Sequence, residues 1–322
     1  MGLGQFIYQI GKPLGGLKLT RFLTRGHPRI LMYHRITENG TKGTISVTDF
    51  RKQMEMVRNN FNPITLRDLI SHADNASIPD YTVVVTFDDG YYDFAKYAYP
   101  ILKELGIPVT LFVTTSFVNG DLWLWPDQIR YLIEQSSFDE IYLHQINSLV
   151  EIKAKPEDAW NSIADYCLKL SNNDKASFLL DISRKLEVDL PTTPPFEYSP
   201  ITWEQLRSMV GEGLDLGSHS CSHPILTKLD ADDLRKEVED SRRCIKNRLN
   251  ITSNAFCYPN GQKTDFNDRV KDVVRRAGYR YAVAAFPSQD PLKDRWAINR
   301  YPMGPSYGSA EKTVFGITYF GM

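Results

Sequence analysis

The chain reads as an α/β protein built on a largely parallel sheet, and three observations carry that expectation. Short apolar runs rich in β-branched residues, such as Val83-Val84-Val85, alternate with helical patterns along most of the sequence. The length, 322 residues, suits one barrel-like α/β domain as well as two average domains. A hydrophobic content of 42% and a charged content of 24% are those of an ordinary globular chain.

Taken in order, the first segment is 1–28, a basic amphipathic leader. No acidic residue precedes Glu38, while Lys12, Lys18, Arg21, Arg25 and Arg29 punctuate an apolar series. Gly11, Pro13, Gly15 and Gly16 break that series, and the charges follow it, so it does not read as a secretory signal. Either it lies on an anionic membrane surface or it packs on the body of the protein. No stretch reaches the roughly eighteen consecutive apolar residues of a membrane span. The expected location is therefore cytoplasmic or peripheral on the inner face of the membrane.

Strands are expected at about 29–33, 82–87, 108–113, 214–217, 254–258, 279–284 and 297–300. Helices are expected at 48–59, 92–105, 231–248 and 266–277, with Asp230 as an N-cap and Gly278 at a C′ position. Between about 120 and 200 the strand signal fades into helix formers, and this stretch is expected to be an inserted helical subdomain near the strand ends. A net charge of −1 gives no hint of a polyanionic partner, so nucleic acid is not expected. The four cysteines show no paired spacing.

The chemistry concentrates at the ends of these strands. Asp88 and Asp89 follow the 82–87 run and meet Gly90, where a turn can present both carboxylates to one cleft. His219 and His223 lie four apart, a spacing that would place both on one side of a helical turn. One Asp with two His is a set that holds a catalytic divalent metal and leaves positions open. His34, the Pro259-Asn260-Gly261 run and Arg300 also follow expected strands, so five strand ends converge on one mouth. Cys221, between the two histidines, would face away on a helical turn. Trp123, Trp125, Tyr91 and Tyr92 suit either sugar stacking or core packing.

These residues resemble the polysaccharide deacetylases of carbohydrate esterase family four, over most of residues 29–302. Thr86-Phe87-Asp88-Asp89-Gly90 matches the family's first motif, His219 through His223 its second, and Tyr258-Pro259-Asn260-Gly261 lies in its third. The resemblance implies a distorted (β/α)7-type barrel, with Asp88 as general base and Asp89, His219 and His223 as ligands of a divalent ion, zinc being the expected one. Two departures stand out. Cys257 and Asn260 align with a bracing Arg and with a Tyr whose backbone N–H assists the oxyanion, which makes Arg300 the substitute brace and leaves the N–H near Asn260 for the oxyanion. No His follows His223, and His34 is the remaining acid, as in the circularly rearranged subgroup that includes biofilm poly-N-acetylglucosamine deacetylases.

The function this implies is metal-dependent removal of N-acetyl groups from an amino sugar in a polysaccharide, oligosaccharide or glycolipid. A deformylase acting on a lipid-linked amino sugar and a non-catalytic glycan-binding protein are the rival expectations.

Overall fold

A computed structural model of the chain describes residues 12, 15–40 and 43–321. Residues 1–11, 13 and 14 of the basic leader expected over 1–28 lie outside the described residues. Its described part forms helix α1, Gly16–Leu23. The chain divides into two compact units, Met1–Asn119 with Pro200–Met322, and Gly120–Ser199.

The first unit carries the sheet. Its strands are β1 (Arg29–Tyr33), β2 (Asn62–Pro63), β3 (Thr82–Phe87), β4 (Val109–Val113), β5 (Asp215–Ser218), β6 (Ala255–Cys257), β7 (Tyr281–Val283) and β8 (Tyr301–Pro302). The order is β7-β6-β5-β4-β3-β1-β8, with β2 beside the start of β3, and every pairing is parallel. The sheet curls into a half-barrel with helices around it, the geometry of a distorted (β/α) barrel. All six residues of β3 are buried, as expected of a continuous apolar run in a sheet covered on both faces.

Register sorts the side chains into two sets. Leu31 pairs with Val85 and Leu111 with Leu216, and these residues belong to one apolar cluster with Phe50, Met54 and Leu102 of the flanking helices. Residues of the opposite parity, Ile30, Val84, Phe112, Ala255, Cys257, Tyr281 and Val283, form the cluster inside the half-barrel. Gly217 pairs with Phe112, and a Cβ there would come within 2.2 Å of the Phe112 ring. Only glycine lets that ring fill the interior.

Helix starts follow capping chemistry. Ser46, Thr65, Asp230 and Asn267 each accept a backbone N–H three residues on. Two expected elements differ. The single helix expected at 92–105 is a π-helical turn, Phe94–Ala98, followed by an α-helix, Tyr99–Glu104. Pro100 has no N–H to continue an i→i−4 ladder, and the wider turn accommodates it. The strand expected at 297–300 is reduced to a bridge between Ile298 and Val283, with β8 starting at Tyr301.

The second unit has its own core, including Ile129, Leu132, Ile163, Leu179 and Ile182. Three helices, Trp125–Gln135, Pro156–Cys167 and Asn172–Lys185, pack with an antiparallel hairpin, Glu140–Leu143 and Ser148–Glu151. The sequence signal did not mark that hairpin. Trp123 is buried against Tyr131 and Tyr198, and Lys175 lies over the Trp125 ring, so packing explains both tryptophans.

Candidate active site

The interior parity of the sheet continues past the strand ends and places the polar residues. His34 follows Ile30 and Met32 at even spacing, Asp88 follows Val84 and Thr86, and His219 follows Gly217, so all project on the interior side of the sheet. Cys257 lies level with His219 across β5 and β6. Asp89 would point to the other side if β3 simply continued. Its φ of 73° turns the chain instead, and Thr114 donates its N–H to the Asp89 carbonyl at 3.0 Å. Aspartate adopts this left-handed region more readily than most non-glycine residues.

Asp88 is held by a fork. Arg300 Nη1 and Nη2 donate to Oδ1 and Oδ2 at 2.7 Å each, and both side chains are almost wholly buried. The guanidinium is held in turn by the Ala284 carbonyl, Thr86 Oγ1 and Cys257 Sγ, and it lies over the Phe112 ring. Cys257, aligned with the family's bracing Arg, instead donates its thiol to Asp88 Oδ2 at 3.5 Å. Burial alone would raise the Asp88 pKa, but the charge and hydrogen bonds of Arg300 outweigh it and hold the carboxyl well below its usual range. Burial likewise raises the Cys257 thiol, which stays protonated.

The second constellation is Asp89, His219 and His223. Asp89 Oδ1 is 3.6 Å from His219 Nε2 and 3.7 Å from His223 Nε2. Those separations exceed good hydrogen bonds but suit three donors around a common ion, and donor atoms of all three residues lie within 4.8 Å of one another. His219 Nδ1 is 2.9 Å from the Cys257 carbonyl oxygen, which fixes the proton on Nδ1 and leaves Nε2 as an acceptor. Burial lowers the His219 pKa to about 4, so the neutral, ligating form prevails at ordinary pH. The residues present therefore fit a divalent ion.

The two histidines do not share a helical turn. They sit on a loop in which Ser220 has φ 65° and His223 φ 59°, and their rings meet edge to face at 4.7 Å. Spacing of four is common to a helix and to this turn, and the backbone bonds made by neighbouring elements decide between them. Cys221 in consequence packs toward the helix Ala231–Leu249, its Sγ directed at the Lys236 carbonyl.

His34 Nε2 lies 3.9 Å from Asp88 Oδ2, and the imidazole is 46% exposed. Surrounding protein atoms lower its pKa, Asp88 pulls it up and Arg300 pushes it down further. Asn260 has φ 55°, and its Nδ2 is buried with no hydrogen-bond partner among the described residues. Tyr258 is a core residue: its ring stacks on Phe266 and its hydroxyl donates to the Trp296 carbonyl. Pro259 is buried beside it. Tyr91 is buried against Phe117 and is not a sugar platform. Sequence reasoning missed Glu237, which binds the histidine loop. Its signal was a charged residue on the buried stripe of Leu234, Val238 and Ser241.

Fold and site together define a parallel α/β protein with a metal-type ligand triad beside an Arg-braced carboxylate. The family profile described as polysaccharide deacetylase matches residues 76–151 and 153–282, more than half of the chain. The chain belongs to the polysaccharide deacetylase family. It is 29% identical over 139 residues to the poly-β-1,6-N-acetyl-D-glucosamine N-deacetylase of Staphylococcus epidermidis, covering 40% of this chain and 48% of that protein. It is 27% identical over 138 residues to YxkH of Bacillus subtilis, covering 42% and 48%. The chain thus spans about half the length of the curated relatives it matches. The fold is similar to that of the Streptococcus pyogenes deacetylase PplD solved with acetate, with a TM-score of 0.59 at 19% identity over 89% of this chain and 97% of that one.

Proposed function

We propose that this protein is a metal-dependent N-deacetylase that hydrolyses the acetamide of an amino sugar within a glycan. The observation that carries the reading is the pairing of the Asp89, His219 and His223 triad with an ionised, Arg-braced Asp88 and a nearby imidazole, His34. Asp89, His219 and His223 would hold a divalent ion, which when bound would supply a lowered water pKa and polarisation of the acyl carbonyl.

The protein's own groups divide the proton chemistry. Arg300 keeps Asp88 in the carboxylate form, so Asp88 accepts the proton that the attacking water loses. The backbone N–H at Asn260, with Nδ2 beside it, is the donor for the developing charge on the acyl oxygen. His34, in its imidazolium form, protonates the nitrogen as the carbon–nitrogen bond breaks, because an unprotonated amide nitrogen leaves very poorly. The products are acetate and a free amino sugar. Mass spectrometry of N-acetylated oligosaccharides and lipid-linked sugars incubated with zinc-loaded protein tests the reading. Loss of an acetyl mass and release of acetate are expected, and no loss from any N-acyl sugar despite stoichiometric zinc would overturn it.

A second reading concerns the leader. Helix α1 exposes Leu19, Phe22 and Leu23 beside exposed Lys18, and no described helix is long and apolar enough to cross a membrane. These features support peripheral attachment to an anionic membrane surface. Co-sedimentation with anionic but not with zwitterionic vesicles is expected, and equal recovery from both would reject it.

A further inference from the structure

We infer that Glu237 is a positioning residue for the metal site: its carboxylate locks the loop that presents His219 and His223. The inference rests on the metal-site reading above and adds a residue that touches no ligand atom. Glu237 projects from the helix Ala231–Leu249, and three donors of the loop converge on it. Its Oε2 accepts the Cys221 N–H at 2.8 Å and the Ser222 N–H at 2.9 Å, and its Oε1 accepts the Ser222 hydroxyl at 2.5 Å.

The loop needs such a clamp because its backbone is strained and cannot satisfy itself. Two of its residues, Ser220 and His223, occupy the left-handed region, which is unfavourable for residues with a Cβ. Inside the loop, the His223 N–H reaches Ser220 Oγ at 3.1 Å. Its carbonyls are met from the opposite side, where Thr115 N–H donates to Ser220 O at 3.2 Å and Ser116 N–H to Cys221 O at 2.9 Å. The start of the helix Thr115–Val118 thus holds the loop's acceptors and Glu237 holds its donors. Between these two grips the chain turns so that both Nε2 atoms face Asp89 Oδ1.

Charge strengthens the arrangement. A carboxylate accepting two adjacent backbone N–H groups and a hydroxyl makes stronger bonds than a neutral acceptor, and it needs both oxygens. Glutamine offers one acceptor oxygen and therefore cannot reproduce the set. Removing the clamp frees the loop to leave the strained conformation, which separates the two imidazoles and weakens the ligand set. Groups of this kind behind metal ligands set affinity by about 10–100-fold.

The test is zinc affinity, measured by competition with a chromogenic chelator at neutral pH, on the full chain and on Glu237→Gln, Glu237→Ala and Ser222→Ala. Zinc binding is expected to weaken by about 10–100-fold in Glu237→Ala, less in Glu237→Gln, and least in Ser222→Ala, which loses only one of the three bonds. Ser222→Ala keeps the inference testable should the Glu237 variants fail to fold. Turnover of the variants is expected to recover as zinc is raised. A merely structural role predicts a lower unfolding temperature of the chelator-treated variants with unchanged zinc affinity, and that result overturns the inference. Wild-type protein that binds zinc but releases no acetate overturns the deacetylase reading and leaves this inference standing. Wild-type protein that binds no zinc overturns the metal site and this inference together.

Discussion

Replacing Arg300 by Met tests the electrostatic logic of the site most directly. The substitution removes a wholly buried guanidinium from a fork with Asp88, at 2.7 Å on both arms, and leaves a buried carboxylate without its counter-charge. Breaking a buried pair from one side costs about 3–5 kcal/mol, most of it the penalty of the orphaned charge. For a domain of this size each kcal/mol lowers the unfolding temperature by about 2–4 °C, so a fall of roughly 6–20 °C is expected in a thermal scan. Asp88→Asn in the Arg300→Met background should restore a large part of that loss, because a neutral amide needs no counter-charge. Asp88 itself should titrate upward once Arg300 is gone, since burial is then opposed only by the weaker pulls of His219 and His34, and turnover should fall as the pH is lowered toward the shifted pKa. If the double variant is as unstable as Arg300→Met, the cost lies in lost packing over Phe112 and the electrostatic account is wrong.

Three further outcomes are expected. Asp88→Asn should retain zinc while losing about 10²–10⁴ in turnover, and near-normal turnover at saturating zinc would remove Asp88 as the base. His34→Ala should slow cleavage of the amide far more than cleavage of an activated ester, whose leaving group needs no proton; equal slowing of the two would exclude His34 as the acid. His27, 2.8 Å from the Tyr301 hydroxyl, has its pKa lowered by burial to about 4, with Arg29 adding to the shift. The unfolded chain takes up that proton near pH 6.5 and the folded chain only near pH 4, so stability is full above 6.5 and falls as the pH drops through this window. Denaturant titrations of wild type and His27→Asn should differ in slope against pH there, and parallel curves would refute the assignment.

The candidate ligand set was legible because its chemistry survives in one dimension. An apolar strand ending in Asp88-Asp89-Gly90 and a histidine pair four apart identify candidate donors whatever brings them together. The alternation of apolar runs and helical periods marked β1, β3 and the helix Ala231–Leu249 to within a residue. Elements shorter than a recognisable period escaped: β2 and β8 have two residues each, and their pairing partners determine them. The hairpin of Glu140–Leu143 and Ser148–Glu151 escaped because its neighbours are strong helix formers.

Sequence alone thus determined the fold class, the strand ends that carry chemistry, and the identity of Asp88, Asp89, His34, His219 and His223 as the groups to watch. These follow from local pattern and from the intrinsic chemistry of side chains. Tertiary structure alone decided which Asp meets which partner. Sheet register sets Asp88 on the interior side with Thr86 and Val84, a left-handed turn swings Asp89 toward the two Nε2 atoms, and Arg300 arrives from 212 residues away to fork onto Asp88. It also decided that His219 and His223 sit on a clamped loop, held by Glu237 and the backbone of Thr115 and Ser116. A spacing of four in sequence carries no information about long-range hydrogen bonds, and those bonds are what aim the two imidazoles.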